Sequence, residues 1–127
     1  YLTEAICDLN GAIWPMVGLL PGLSAMTPRL TLGYRSFRAL RDGWLWRAGE
    51  MMRGHEFHHS VWQGRPAHLP FAYEFSPDTF QREPRPEGAC VGDLLASYTH
   101  LHFLSRPELA ARFVMAASKI SGWRRDA

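Results

Sequence analysis

The segment Arg29-Leu30-Thr31-Leu32-Gly33-Tyr34-Arg35-Ser36-Phe37-Arg38-Ala39-Leu40 alternates polar and apolar side chains at most steps. A period of two marks a strand with one face on a core and the other toward water. A strand's backbone N–H and C=O groups need partners, so the rest of the chain has to supply a sheet. Met51 to Trp62, interrupted at Gly54, reads as a further strand, and so does Phe71 to Phe75. Leu94 to Phe103 reads as a buried strand running into a turn. Trp14 to Leu20, broken by Pro15 and bounded by Pro21-Gly22, reads as a short buried strand. Asp42-Gly43 suits a tight turn, while residues 21–28 and 76–87, rich in turn formers, are expected to be loops.

Helical spacing shows at the two ends. Tyr1, Leu2, Ala5, Ile6 and Leu9 recur at that period before Asn10-Gly11, which predicts the end of a helix over residues 1–9. Because this pattern is already under way at Tyr1, a preceding segment is expected. Near the other end, Ser105 is a candidate N-cap ahead of Pro107-Glu108, and Leu109, Phe113, Ala116, Ala117 and Ile120 line one face of a helix ending near Gly122. Strands bracketed by helical segments point to an α/β fold, a central mixed sheet flanked by helices, with part of the usual helix complement missing.

A chain of 127 residues is one domain's worth, and an apolar share of 46% with 13% aromatics gives it a core to pack. Disorder, collagen and coiled coil are excluded. The charge is nearly balanced, with 14 basic against 12 acidic residues and the arginines scattered, so no nucleic-acid face is expected. No apolar run reaches the roughly 20 residues of a membrane helix. Two cysteines, Cys7 and Cys90, make no disulfide framework, and a reducing cytoplasmic setting is the expectation.

Two blocks concentrate groups able to do chemistry. In Arg53-Gly54-His55-Glu56-Phe57-His58-His59-Ser60, a strand would place His55 and Phe57 on one face and Glu56 and His58 on the other. That joins one carboxylate to one imidazole, too few ligands to close a zinc site. A substrate-binding strand, a structural polar strand and a metal site are the readings these residues allow, in that order. In Ala96-Ser97-Tyr98-Thr99-His100-Leu101-His102-Phe103 the histidines lie two apart and share a face if the segment is extended. A histidine at a strand end in an α/β fold is placed to reach a crevice, and a core histidine bonded to backbone is the equal alternative. Cys7 and Cys90 read as small core residues, since neither sits on the sharp strand-to-helix turn that exposes a nucleophile. No GxxxxGK[ST] phosphate loop is present.

Pro15-Met16-Val17-Gly18-Leu19-Leu20-Pro21-Gly22, then Met26, Arg29-Leu30 and Leu32-Gly33-Tyr34-Arg35, followed by the two histidine blocks in that order, resemble the amidotransferase domain of the cobyrinate a,c-diamide synthase family. The resemblance runs over nearly the whole chain. It implies part of a class I glutamine amidotransferase-like, flavodoxin-like α/β domain, residues 1–127 forming its C-terminal portion, with an ATP-binding synthetase domain outside the chain. It further implies an ATP- and Mg2+-dependent ligase of cobalamin biosynthesis, in which glutamine is hydrolysed to ammonia and the ammonia amidates the a and c carboxylates of a corrinoid. His100 matches the family's catalytic histidine. The cysteine nucleophile belongs to a Cys-Gly-Gly motif that the family carries just ahead of Tyr1-Leu2, so neither Cys7 nor Cys90 matches it, and the chain alone is expected to be inactive. Glu56 and His58 stand where related domains hold glutamine, partly through backbone. Many class I amidotransferases orient the histidine with a glutamate two residues on; here that position is His102, which leaves the orienting group unassigned. Relatives that amidate hydrogenobyrinate or a nickel sirohydrochlorin are alternatives within the family, and a non-catalytic interaction or scaffold role is the alternative outside it.

Overall fold

The computed structural model describes residues 1–79 and 82–120. Its spine is the long strand β3 (Leu20–Ala39), against which β4 (Met51–Gln63) runs antiparallel for most of its length. The other edge of β3 is shared. Near its start it pairs in parallel with β1 (Thr3–Cys7), and near its end antiparallel with β5 (Tyr73–Phe75). The short strand β2 (Ile13–Pro15) closes the outside of β1, β6 (Arg85–Glu87) extends β5, and β9 (Thr99–Leu101) covers the far edge of β4. A separate hairpin joins β7 (Ala89–Val91) to β8 (Leu94–Ala96). A 3-10 turn at Phe103–Ser105 leads into helix α1 (Glu108–Ile120). The mixed sheet and the α/β class are as the sequence pattern predicts, with α1 the α-helix among the described residues.

Alternation decides which way the spine faces. Phe37 and Ala39 from β3, Met52 from β4, and Tyr73 and Phe75 from β5 point inward, where Leu45, Trp46, Ala72, Cys90 and Leu109 join them. Phe37 and Tyr73 ring centroids lie 4.5 Å apart, and Trp46 meets Tyr73 edge-on at 5.8 Å. Such aromatic pairs add about 0.5–1.5 kcal/mol beyond the area they bury. Leu20, Ala89 and Ala96 form a smaller core.

Several local expectations are corrected. Residues 3–7 form a strand, not a helix end: so short a helix is marginal, whereas the segment finds sheet partners on both sides. Residues 21–28 are the first part of β3, not a loop. Its turn formers are absorbed by Gly22 at φ 86° and by a bulge between Met26 and Thr31, where Pro28 has no ladder bond to donate. The expected buried strand from Trp14 is instead an exposed edge, with Ile13, Trp14, Val17 and Leu19 facing water. Leu94 to Phe103 is two strands separated at Ser97-Tyr98, and the end of the 76–87 loop is β6. Ser105 does not cap α1: its hydroxyl accepts from the Arg53 N–H at 3.2 Å, clipping the turn to β4. Of the anticipated helix face only Leu109 is fully buried; the Ile120 side chain and Gly122 lie outside the described residues.

Candidate functional site

β9 is a three-residue edge strand, and pairing with β4 sets its chemistry. Gly54 opposes Leu101, His55 opposes His100 and Glu56 opposes Thr99. Gly54 is what permits the fit, because a Cβ there would meet the His100 carbonyl oxygen at 2.4 Å and the Thr99 Cγ2 at 2.9 Å. The break before β9 is held by Ser97, whose hydroxyl accepts from the Thr99 N–H at 2.7 Å. The register places His100 directly across from His55, with ring centroids 4.6 Å apart and planes at 63°. One strand further in, Tyr34 opposes His55, edge-on at 6.4 Å. Tyr34, His55 and His100 thus form a row across three strands on the solvent face. His100 is exposed, His55 is half-buried and Tyr34 is 90% exposed.

The opposite face carries a different cluster. Glu56 is 1% exposed and accepts from Arg35 Nε at 2.7 Å and from Arg85 Nη2 at 2.9 and 3.0 Å. Burial pushes this carboxyl up, but the hydrogen bonds and charges of Arg85 and Arg35 outweigh it and hold it below the usual range. His58 Nδ1 lies 2.8 Å from the Ser60 carbonyl, so it carries the proton and donates, while Nε2 lies 3.5 Å from Glu56. The Tyr98 ring stacks on His58 at 4.1 Å, and its hydroxyl accepts a hydrogen bond from the Ser60 hydroxyl at 3.0 Å. Arg35 also pairs with Asp78 at 3.3 Å, and the Arg85 guanidinium lies 4.4 Å from the Phe75 ring centroid.

The residues singled out in the sequence therefore divide between the faces. His100 is presented to solvent; Glu56 and His58 turn away from it, and the Glu56 oxygens are engaged by arginines. The residue of β4 sharing a face with His100 is His55. Sequence reasoning missed the pairing of His55 with His100, because only the register of β9 creates it. It also missed Arg35 and Arg85, which lie on β3 and β6 far from β4 in sequence.

His55-Glu56-Phe57-His58-His59 has the spelling of a helical zinc site. On β4 it spreads: His55 and His59 stand about 13 Å apart along the strand, and Glu56 faces the other way. Among the described residues no three His, Cys, Asp or Glu side chains gather as a metal site. Neither thiol shares the solvent-facing row of Tyr34, His55 and His100. Cys90 is 7% exposed in the main core, and burial pushes its thiol up against the partial pull of Arg41. Cys7 aligns with Ala25 and, through it, with Val61, about 20 Å along β4 from His55. No described helix is long and apolar enough to cross a membrane.

Residues 1–108 match the family model of the CobB/CobQ-like glutamine amidotransferase domain. A cobyrinate a,c-diamide synthase of Thermoplasma volcanium is 38% identical over 90% of this chain and 24% of its own length. One from Priestia megaterium is 34% identical over all of this chain and 27% of its own. A hydrogenobyrinate a,c-diamide synthase of Streptomyces coelicolor is 41% identical over 84% of this chain and 21% of its own. The chain thus spans about a quarter of the length of these relatives, and no solved structure matches it. With the match running from β1 through the strand that carries His100, this chain belongs to the CobB/CobQ-like glutamine amidotransferase domain family.

Proposed function

We propose that this chain supplies the glutaminase histidine of an ATP-dependent, glutamine-hydrolysing ligase that amidates the a and c carboxylates of cobyrinate. The carrying observation is His100, held on a short edge strand with its ring toward solvent, inside a segment that matches the amidotransferase domain. Imidazole is the side chain suited to accept and return a proton near neutral pH. In the proposed reaction a cysteine thiol from outside this chain gives its proton to a His100 ring nitrogen, and the thiolate sulfur bonds to the carboxamide carbon of glutamine. As the C–N bond breaks, the imidazole returns that proton to the departing nitrogen, leaving ammonia and a glutamyl thioester. Water cleaves the thioester to glutamate and restores the thiol.

Glu56 and His58 act from behind the sheet: their cluster holds the stretch of β4 whose backbone borders the substrate. ATP and Mg2+ belong to the synthetase part. Helix α1 begins after Pro107, which has no N–H to offer, and places Glu108 in its first turn, so its start repels a phosphate. The proposed setting is the cytoplasm, and the proposed partners are glutamine, a corrinoid and the synthetase domain. The 41% identity to a hydrogenobyrinate a,c-diamide synthase supports hydrogenobyrinate as the second reading.

A synthase carrying this chain, given cobyrinate, glutamine and MgATP, is expected to form the a,c-diamide with one glutamate released per amide. Hydrogenobyrinate amidated in preference selects the second reading, and glutamate release with no corrinoid amide from either substrate contradicts both.

A further inference from the structure

His100 occupies the middle of a three-residue strand at the sheet edge, a place where a side chain is poorly confined. Among the described residues it makes no hydrogen bond or ion pair with an acid. His102, two positions on, lies beyond β9, exposed, with its N–H donating to the Arg53 carbonyl at 3.2 Å. What does touch the His100 ring is His55, edge-on at 4.6 Å. His55 is well placed to act as a stop. It sits on β4, a strand paired on both sides, and Tyr34 backs it from β3 at 6.4 Å. Beneath it, β4 is anchored by Glu56 in its arginine cluster, and Gly54 lets β9 close onto β4.

We propose that His55 is a positioning residue for the glutaminase reaction: its ring, packed edge to face, fixes the direction of the His100 imidazole in place of a carboxylate. This rests on the reading of His100 given above. The contact is one of ring shape, with no hydrogen bond between the two, so an aromatic ring of similar width preserves it and a methyl group does not. A proton-transfer group turned out of line lowers the chemical step while leaving substrate affinity in place.

The test uses a synthase carrying this chain and compares His55→Ala, His55→Phe and His100→Ala, with glutamine or ammonium as nitrogen source. Expected for His55→Ala is a loss of kcat for glutamine hydrolysis of about 10- to 100-fold, with KM for glutamine and ammonium-driven synthesis both within about twofold of the parent. His55→Phe is expected to recover activity to within about threefold of the parent. The proposal is overturned if phenylalanine does no better than alanine, if the defect lies in KM, or if both nitrogen sources lose equally. Failure of the underlying reading shows separately, as a His100→Ala variant that still hydrolyses glutamine.

Discussion

Two side chains of opposite fate, one imidazole and one carboxylate, show how single residues shape this site. His100 is open to solvent because it lies on an edge strand; Glu56, whose Cα partner is the neighbouring Thr99, is sealed under the same sheet by Arg35 and Arg85. A buried carboxylate is tolerated when its oxygens are satisfied, and removing its charge strands its partners. Glu56→Gln leaves two guanidinium groups facing a neutral amide. Since the Arg85 side chain is 39% exposed, the expected cost is discounted to about 2–3 kcal/mol, read from a urea midpoint at neutral pH. Because the Glu56 carboxyl is held below its ordinary range, its contribution is present above that range and disappears as pH falls through the folded value. The difference between parent and variant should therefore shrink in acid. A midpoint unchanged at neutral pH would show that the cluster does not hold β4.

Helix α1 is anchored less by burial than by charge. Leu109 is its fully buried residue, while Phe113 makes half-exposed ring contacts with Trp44 and Phe103, each at 5.9 Å. Glu50, just before β4, accepts from Arg112 at 2.6 and 3.0 Å, pairs with Arg106 at 3.3 Å and accepts from the Arg47 N–H. The Arg112 hydrogen bonds lead in holding the Glu50 carboxyl down to about 2, aided by the Arg47 N–H and the Arg106 charge and opposed by partial burial. A lowered carboxyl stabilises the fold fully above its unfolded value near 4.5 and loses that effect as pH falls toward about 2. Glu50→Gln is expected to lower stability at neutral pH by about 1–2 kcal/mol and to match the parent near pH 2. Faster amide exchange confined to α1 would locate the loss; exchange rising evenly over the sheet would contradict the clamp.

Across the whole molecule, what was legible from sequence was what depends on local alternation. Strands β4 and β5 and the second half of β3 follow from their side-chain period, as does the split of His55 from Glu56. Helix α1 follows in the same way from the helical spacing of Leu109, Phe113, Ala116 and Ala117; elsewhere tertiary pairing overrode the local pattern. Tyr1 to Leu9 carries a helical period, yet Thr3–Cys7 is drawn into the sheet by β3; Gly22 and Pro28 advertise a loop, yet a positive φ and a bulge fit them into a strand. The site was half legible for the same reason. Resemblance points to His100, but register alone brings His55 beside it, and no spacing in the sequence encodes that pairing. Nor could spacing show that Arg35 and Arg85 engage the carboxylate of Glu56. The fold also buries Cys90 in the main core and pairs Cys7 with Ala25 far along the sheet from His55, so the chain by itself is expected to release ammonia from glutamine at background rate.

The claim that His100 is the proton-transfer group of a glutaminase is tested most directly by His100→Ala in a synthase carrying this chain, assayed with glutamine and then with ammonium. Glutamine-driven amidation is expected to fall by about 10²–10⁴-fold while ammonium-driven amidation keeps most of its rate. Equal loss with both nitrogen sources, or retained glutamine hydrolysis, would contradict it.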